Sequence, residues 1–435
     1  MPIDMSKLPP HQRIIRELSD RIVAAQRPIR VLDALKWHPE VKEEFFRNKF
    51  KKLPNVDANY YAQNNLLPFN IEQQRQEFYD IERDVTKQLG QYNPAGKIMQ
   101  RICHEYRWVL DLLQARGTPE FTKISQALYG SSDDAFYAGA PTLSNLATLL
   151  AETLPHLKDA LNTEADEKRH SSEETVALLD ERLSHYFTDP NQRVRVELSD
   201  DILADAAAGS ERIKIRKDRR FSDRDLSILE VHEGWVHVAT TLNGLSQPLC
   251  TFLSKGTPSA LVIQEGLGII MEIFTFSSGP ARVARLTNRV LAIHMAEHGA
   301  NFIEVFNFYR QQGLTDEEAY AYAVRAFRGS SPEMGPFTKD LAYSKGFITI
   351  YNYIRIAIQQ GLLSRISLLF VGKTNLEDLS TLAELVNEGI VIPAKYLPPQ
   401  FKDPAALSAW MCYSLFLNKL SLDRLTADFK QIMGN

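Results

Sequence analysis

Along most of the chain apolar residues recur at intervals of three and four, the spacing that lines one face of an α-helix. IIRELSDRIVAAQ (14–26), IEQQRQEFYDIERDVTKQL (71–89), ETVALLDERLSHYF (174–187), DEEAYAYAVRAF (316–327) and the segment from about Lys339 to Gln360 all read as helices, punctuated by Pro and Gly. No fixed-period repeat or low-complexity tract is present, which removes solenoid and linker-rich architectures. The polar run LNTEADEKRHSSEE (161–174) reads as an exposed loop or a frayed helix end.

One region departs from this pattern. RVRVEL (193–198) and RIKIRK (212–217) alternate charged and β-branched residues with period two, as half-exposed strands do. DDILADAAAG between them reads as a short helix. The next helix begins near Ser222 in FSDRDLSILEVHEGWVHVAT, where the Ser or the Asp can serve as the N-cap and the following Asp residues suit the first turn. The expected fold is mainly α (α+β), with a small β-sheet next to this helix. Residues 1–190 carry no cluster of chemistry and are expected to form a helical wall of a cleft. Residues 191–435 carry the chemistry, and the two regions can be one continuous domain.

At 435 residues the chain can bury a large core, and its formal charge of −4 argues against a nucleic-acid partner despite the local basic run RIKIRKDRR (212–220). Cys103, Cys250 and Cys412 are odd in number and widely spaced, which fits a reducing compartment better than a disulfide framework. The N-terminus MPIDMSKLPPHQRIIRELSD has no apolar secretory region, and no run approaches the roughly 20 apolar residues that span a bilayer. A soluble, cytoplasmic protein with no membrane partner is expected.

The stretch VHEGWVH carries the candidate chemistry. The familiar H-E-x-x-H zinc motif places its histidines four apart, whereas His232 and His237 lie five apart. At about 3.6 residues per turn, five positions leave the two rings roughly 140° apart around the axis. A π-type turn of about 4.4 residues brings them back to within roughly 50°. If both bind one metal, the spacing predicts a widened turn with an i to i+5 hydrogen bond, and Gly234 lies where it would ease the distortion. Glu233 then sits beside the metal as a general base. A third ligand is expected from PSALVIQEGLGIIMEIFTF (258–276), because Glu265 in so apolar a helix needs a cation, a proton or a strong donor. Glu272, seven positions on, is the fallback ligand. His294 and His298 in IHMAEHGA have true i, i+4 spacing, but no glutamate follows the first, so the pair reads as helix surface or as support for another site. Trp235, between apolar neighbours, reads as a core anchor.

HEGWVHVATTLNGLSQP followed by IQEGLG, together with RGSSPEMGPFTKDLAYSKG (328–346), resembles the flavohemoglobin expression-modulating QEGLA-motif proteins, a family related to the microtubule-associated tyrosine carboxypeptidases. The resemblance covers much of the chain and is strongest between His232 and about Gly346. It implies a gluzincin-like metallopeptidase with His232, His237 and Glu265 holding one zinc ion and Glu233 as catalytic base. Gly268 stands where the family name has alanine, a change expected not to touch the ligand.

A carboxypeptidase must bind a free terminal carboxylate, and Arg325, Arg328, Lys339 and Lys345 are candidates for that contact, each also readable as a surface cation. Tyr343 and Tyr351 are candidate donors to the oxyanion, or packing tyrosines. Asn243 and Gln247 either bind a substrate amide or hold the loop after the motif helix. An edge of RVRVEL or RIKIRK is positioned to align an extended peptide. The leading expectation is a zinc carboxypeptidase acting on a peptide or protein C-terminus. The alternatives are a zinc amidohydrolase acting on a small molecule, and a non-catalytic regulatory protein that keeps the fold and its zinc. Glu233 favours the enzymes, because a structural zinc takes four protein ligands and needs no base.

Overall fold

The computed structural model describes residues 5–160, 166–202, 204–333, 335–429 and 432. The fold is mainly α-helical, with short strands confined to the described residues between 170 and 221. The periodic segments form helices for the reason their spacing implies. Helix Pro10–Gln26 buries Ile15, Leu18, Ile22 and Ala25 along one stripe. Helix Ile71–Leu89 turns Phe78, Ile81 and Val85 inward; the Asn70 side chain accepts the Gln73 N–H at its start, and Gly90 at φ 86° ends it.

The largest core runs from Ile15 through Leu110, Leu267 and Ile350 to Met411, so helices from both halves of the chain bury one another. Each large side chain removed from water there contributes about 1.5–3 kcal/mol. A second core is aromatic: Phe45 meets Phe302 and Phe306 edge-on, with centroids at 5.2 and 5.1 Å. This contact ties the segment around Trp37 and Tyr61 to helices Phe302–Gln311 and Asp316–Phe327.

The strands are β1 (His170–Ser171), β2 (Arg195–Ser199), β3 (Ala206–Ala208), β4 (Arg212–Arg216) and β5 (Arg220–Phe221). β1 and β5 form an antiparallel pair, and the other three form a sheet of order β2-β4-β3. β2 runs parallel to β4, Arg195 opposite Arg212, and β3 runs antiparallel to it, Ala206 opposite Ile215. Ile213 and Ile215 point into a third core shared with the motif helix. The helix expected over DDILADAAAG is absent: its alanines form β3, and Leu203 lies outside the described residues. Alanine's helix propensity is a few tenths of a kcal/mol per residue against average residues, and pairing with β4 outweighs it. The polar run at 161–174 also differs from expectation. Residues 161–165 lie outside the described residues, but His170 and Ser171 form β1, and Ser171 caps helix Ser172–Tyr186 in a reciprocal pair with Glu174.

Ser222 caps helix Asp223–Leu229 in the same way with Asp225. The chain continues without a break through a π-helix, Glu230–Val238, into α-helix Ala239–Leu245. Helix Pro258–Phe274, capped by Thr257, lies beside it. It crosses helix Ala342–Gln359 where both carry glycine: a Cβ on Gly266 would fall 2.2 Å from the Gly346 carbonyl carbon. No described helix is long and apolar enough to cross a membrane.

Candidate metal centre and cleft

The π-helix answers the spacing problem of the motif. Ala239 N–H bonds to Gly234 O, five residues back, and the His232 and His237 rings lie on one side with centroids 4.8 Å apart. The widening extends over nine residues, more than the single turn that the spacing requires. Gly234 has no positive φ, so easing the backbone is not its role. It provides space: a Cβ there would fall 2.4 Å from Leu183 Cδ2 on helix Ser172–Tyr186. Trp235 stacks on Tyr186 of that same helix, centroids 5.3 Å apart.

Glu265 Oε2 lies 3.2 Å from His232 Nε2 and 3.6 Å from His237 Nε2. Two donor atoms each about 2.0–2.2 Å from a tetrahedral zinc stand about 3.3–3.6 Å apart, so these separations match the edges of such a site. The ligand atoms of all three residues lie within 4.8 Å of one another. Glu272 Oε1 is 2.7 Å from His232 Nδ1. A carboxylate only accepts, so Nδ1 carries the proton and the Nε2 lone pair faces Glu265. The gap between His232 Nε2 and Glu265 is closed by a second proton or by a metal ion in its place. Burial lowers the His232 pKa, but its bonds to Glu265 and Glu272 prevail and push it up to about 10. Burial likewise opposes ionisation of Glu265, and the two histidines prevail, holding it well below the usual carboxylate range. Three converging N and O donors, with the fourth side toward the cleft, fit zinc.

Glu272 is not a fallback ligand. Its second partner is Arg282, which donates through Nη2 at 2.8 Å and Nε at 3.0 Å. Sequence reading missed this brace because Arg282 lies on the next helix, Pro280–Glu297. Gly268 also differs from expectation: a Cβ there would fall 2.3 Å from His232 Cε1, so this position does touch the ligand.

The three-residue centre opens on a cleft of about 580 Å³. Residues of β3 and the turn after it form one wall, with Arg27, Arg30 and Lys36 from the N-terminal region and Lys255 among the other lining residues. Glu233 lines the cleft, and its Oε2 accepts the Ala208 N–H at 3.0 Å, so β3 positions the candidate base. β4 is central in the sheet and β3 is the edge at the cleft, which moves the expected peptide-aligning edge from RVRVEL or RIKIRK to Ala206–Ala208.

Arg325, Arg328, Lys339 and Tyr343 also line the cleft. Arg325 is engaged by Asp340 through two bonds of 2.8 Å, and burial of Asp340 is overcome by the arginines, holding it ionised. Arg328 Nε is buried without a hydrogen-bond partner among the described residues, and burial together with the Arg325 charge pushes the Arg328 pKa down to about 10. Lys339 Nζ has Glu265 Oε1 at 3.9 Å, and burial lowers its pKa. Burial and the Glu265 charge push Tyr343 up to about 12, so its hydroxyl keeps its proton.

The remaining sequence candidates lie elsewhere. Asn243 donates to Phe370 O and Tyr396 O and accepts from Tyr396 N; Gln247 donates to Val371 O and Ile392 O and accepts from Ile392 N. Both hold the loop, as one of their two open readings had it, and neither lines the cleft. Tyr351 packs on Phe347, 5.9 Å between centroids, and Lys345 pairs with Asp134 at 3.3 Å; neither lines the cleft. Lys373, which sequence reading missed, does line it. Its Nζ donates to His237 O and Gln264 Oε1, both at 2.8 Å, and burial pushes its pKa down to about 7 against the charges of Glu265 and Glu233. The only sequence signal was a lysine in the otherwise apolar and small-residue stretch FVGKT.

No curated protein sequence matches the chain. Among solved structures, an M32 carboxypeptidase from Deinococcus radiodurans R1 is similar at 14% identity and a TM-score of 0.34, covering 91% of this chain and 93% of that one. Residues 43–419 match the family model described as microtubule-associated tyrosine carboxypeptidase. With most of its length inside that match, the chain belongs to the microtubule-associated tyrosine carboxypeptidase family.

Proposed function

We propose that the protein is a zinc-dependent metallocarboxypeptidase that removes a residue from a peptide or protein C-terminus. Family membership supports a carboxypeptidase-like hydrolase. The observation that carries the finer reading is the convergence of His232, His237 and Glu265 beside Glu233, in a cleft whose wall holds the cations Arg328, with its Nε unpartnered among the described residues, and Lys339.

His232, His237 and Glu265 would hold the zinc. When bound, zinc supplies Lewis acidity that polarises the scissile carbonyl and makes water nucleophilic near neutral pH. Glu233 takes the proton from the attacking water and delivers it to the leaving amine. Its bond from Ala208 N–H keeps it from turning toward the histidines. Asp205 O and Gly209 N bond to β4, so the Ala206 N–H and the Ala206 and Ala208 carbonyls face the open edge, where an extended substrate pairs, while the Ala208 N–H stays with Glu233. Tyr343 donates its hydroxyl proton to the developing oxyanion. Arg328 and Lys339 bind the terminal carboxylate, which relieves their burial. Arg27, Arg30, Lys36 and Lys255 along the cleft favour acidic residues upstream of the cleaved bond.

The test is digestion of a peptide library followed by mass spectrometry, with zinc analysis of the same preparations. Wild type releases C-terminal residues, and Glu233→Gln retains zinc while cleavage falls by about 10²–10⁴-fold. Equal cleavage by both proteins, or activity that survives complete removal of metal, would overturn the reading.

A further inference from the structure

A second cluster of ligand-type side chains lies on the surface, on different residues from the cleft. Asp133, in the segment between helices Pro119–Tyr129 and Leu143–Thr153, faces His294 and His298 at the end of helix Pro280–Glu297. His294 Nδ1 is 3.3 Å from Asp133 Oδ1, and His298 Nε2 is 3.3 Å from Asp133 Oδ2. The two imidazole centroids are 4.2 Å apart.

Proton accounting shows what this cluster requires. His298 Nδ1 lies 2.8 Å from the His294 carbonyl, which only accepts, so Nδ1 carries the proton and the Nε2 lone pair faces Asp133. The Ser132 hydroxyl directs its one proton to Glu297, which only accepts. Toward His294 Nδ1, at 3.0 Å, it therefore offers only lone pairs, as Asp133 does. Both histidines thus turn a nitrogen toward acceptors. The neutral Nδ1–H form satisfies His294, whereas His298 faces acceptors at both of its ring nitrogens. One divalent ion satisfies both nitrogens and the carboxylate together. Each nitrogen lies 3.3 Å from a different oxygen of Asp133, close to the roughly 3.3–3.6 Å edge of a tetrahedral zinc site, and one ligand atom from each of the three residues lies within 4.8 Å of the others.

The surroundings hold the ligands in place without the ion. Glu297 accepts the Ser132 N–H at 2.9 Å and the Gln126 amide at 2.8 Å, which anchors the segment carrying Asp133 to the helix carrying both histidines. We propose that Asp133, His294 and His298 form a second metal site, open to solvent, that takes a late first-row divalent cation and fastens the 130–142 segment to helix Pro280–Glu297. Two imidazoles with one carboxylate favour zinc, nickel or copper over magnesium or calcium, which prefer all-oxygen sites.

The test is equilibrium dialysis of the full-length chain against Zn²⁺, counting ions per chain, with folding checked by circular dichroism. Wild type is expected to bind two ions, and His298→Ala and Asp133→Asn one each. His237→Ala, at the cleft, should also bind one, and its thermal midpoint should still rise with Zn²⁺. His237→Ala/His298→Ala should lose both the ions and that rise. If His298→Ala and Asp133→Asn bind as many ions as wild type, the second site is refuted whatever His237→Ala does. If His237→Ala binds as many as wild type while His298→Ala loses one, the second site stands and the cleft reading fails instead.

Discussion

Glu272 Oε1 stands 2.7 Å from His232 Nδ1, and the same carboxylate is held by Arg282. The candidate ligand His232 is thereby oriented by a buried ion pair that reaches to the next helix. Glu272→Gln is expected to weaken zinc binding by about 10–100-fold, because the amide no longer enforces the Nδ1–H tautomer. It also leaves Arg282 buried beside a neutral group, which costs up to about 3–5 kcal/mol of stability. Zinc titration and denaturant unfolding of the same variant separate the two effects.

The same carboxylate sets an acid limit. Burial raises the Glu272 pKa, but Arg282 and His232 prevail and bring it down to about 2. A carboxyl depressed on folding contributes stability that is complete above its unfolded value near 4.5 and fades as the pH falls toward 2. Metal-free protein should therefore lose stability across that window. Glu272→Gln should show a shallower loss there in acid unfolding curves; identical slopes would remove Glu272 from the explanation.

Two glycines of one helix should respond differently to alanine. At Gly268 the new Cβ meets the His232 ring, which Glu272 keeps from swinging away. The strain, about 1–3 kcal/mol, should appear as weaker zinc binding with a nearly unchanged melting point. At Gly266 the new Cβ meets backbone of Gly346, which no rotamer change relieves. Gly266→Ala should lower the melting point of the metal-free chain, and equal melting points for the two variants would contradict this distinction.

Arg328→Gln and Lys339→Met should each lower kcat/KM by roughly 10–150-fold, the value of one charge-assisted hydrogen bond of about 1.5–3 kcal/mol. Wild type should leave C-terminally amidated peptides intact, and the variants should discriminate less between free and amidated ends. Asn243→Ala should instead destabilise the whole fold, because its bonds are to Phe370 and Tyr396 backbone. A variant of Arg328 with unchanged kinetics on free termini would remove it from carboxylate recognition.

The sequence alone was enough for the helical character, a Ser or Asp cap at the start of the motif helix, the widened turn between His232 and His237, and the need of Glu265 for a partner. Each follows from a short-range constraint: hydrogen-bond spacing along one helix, or one carboxylate within one apolar run. Tertiary structure decided the rest. Ala206–Ala208 became a strand because β4 lay beside it, Arg325 was engaged because Asp340 faced it, and Asn243 and Gln247 turned to backbone carbonyls brought from residues 370–396. Glu272 became the brace of His232 instead of a ligand because Arg282 approached from another helix. A side chain's chemical type is written in the chain, but which partner satisfies it depends on contacts between distant residues, and those exist only once the helices have packed.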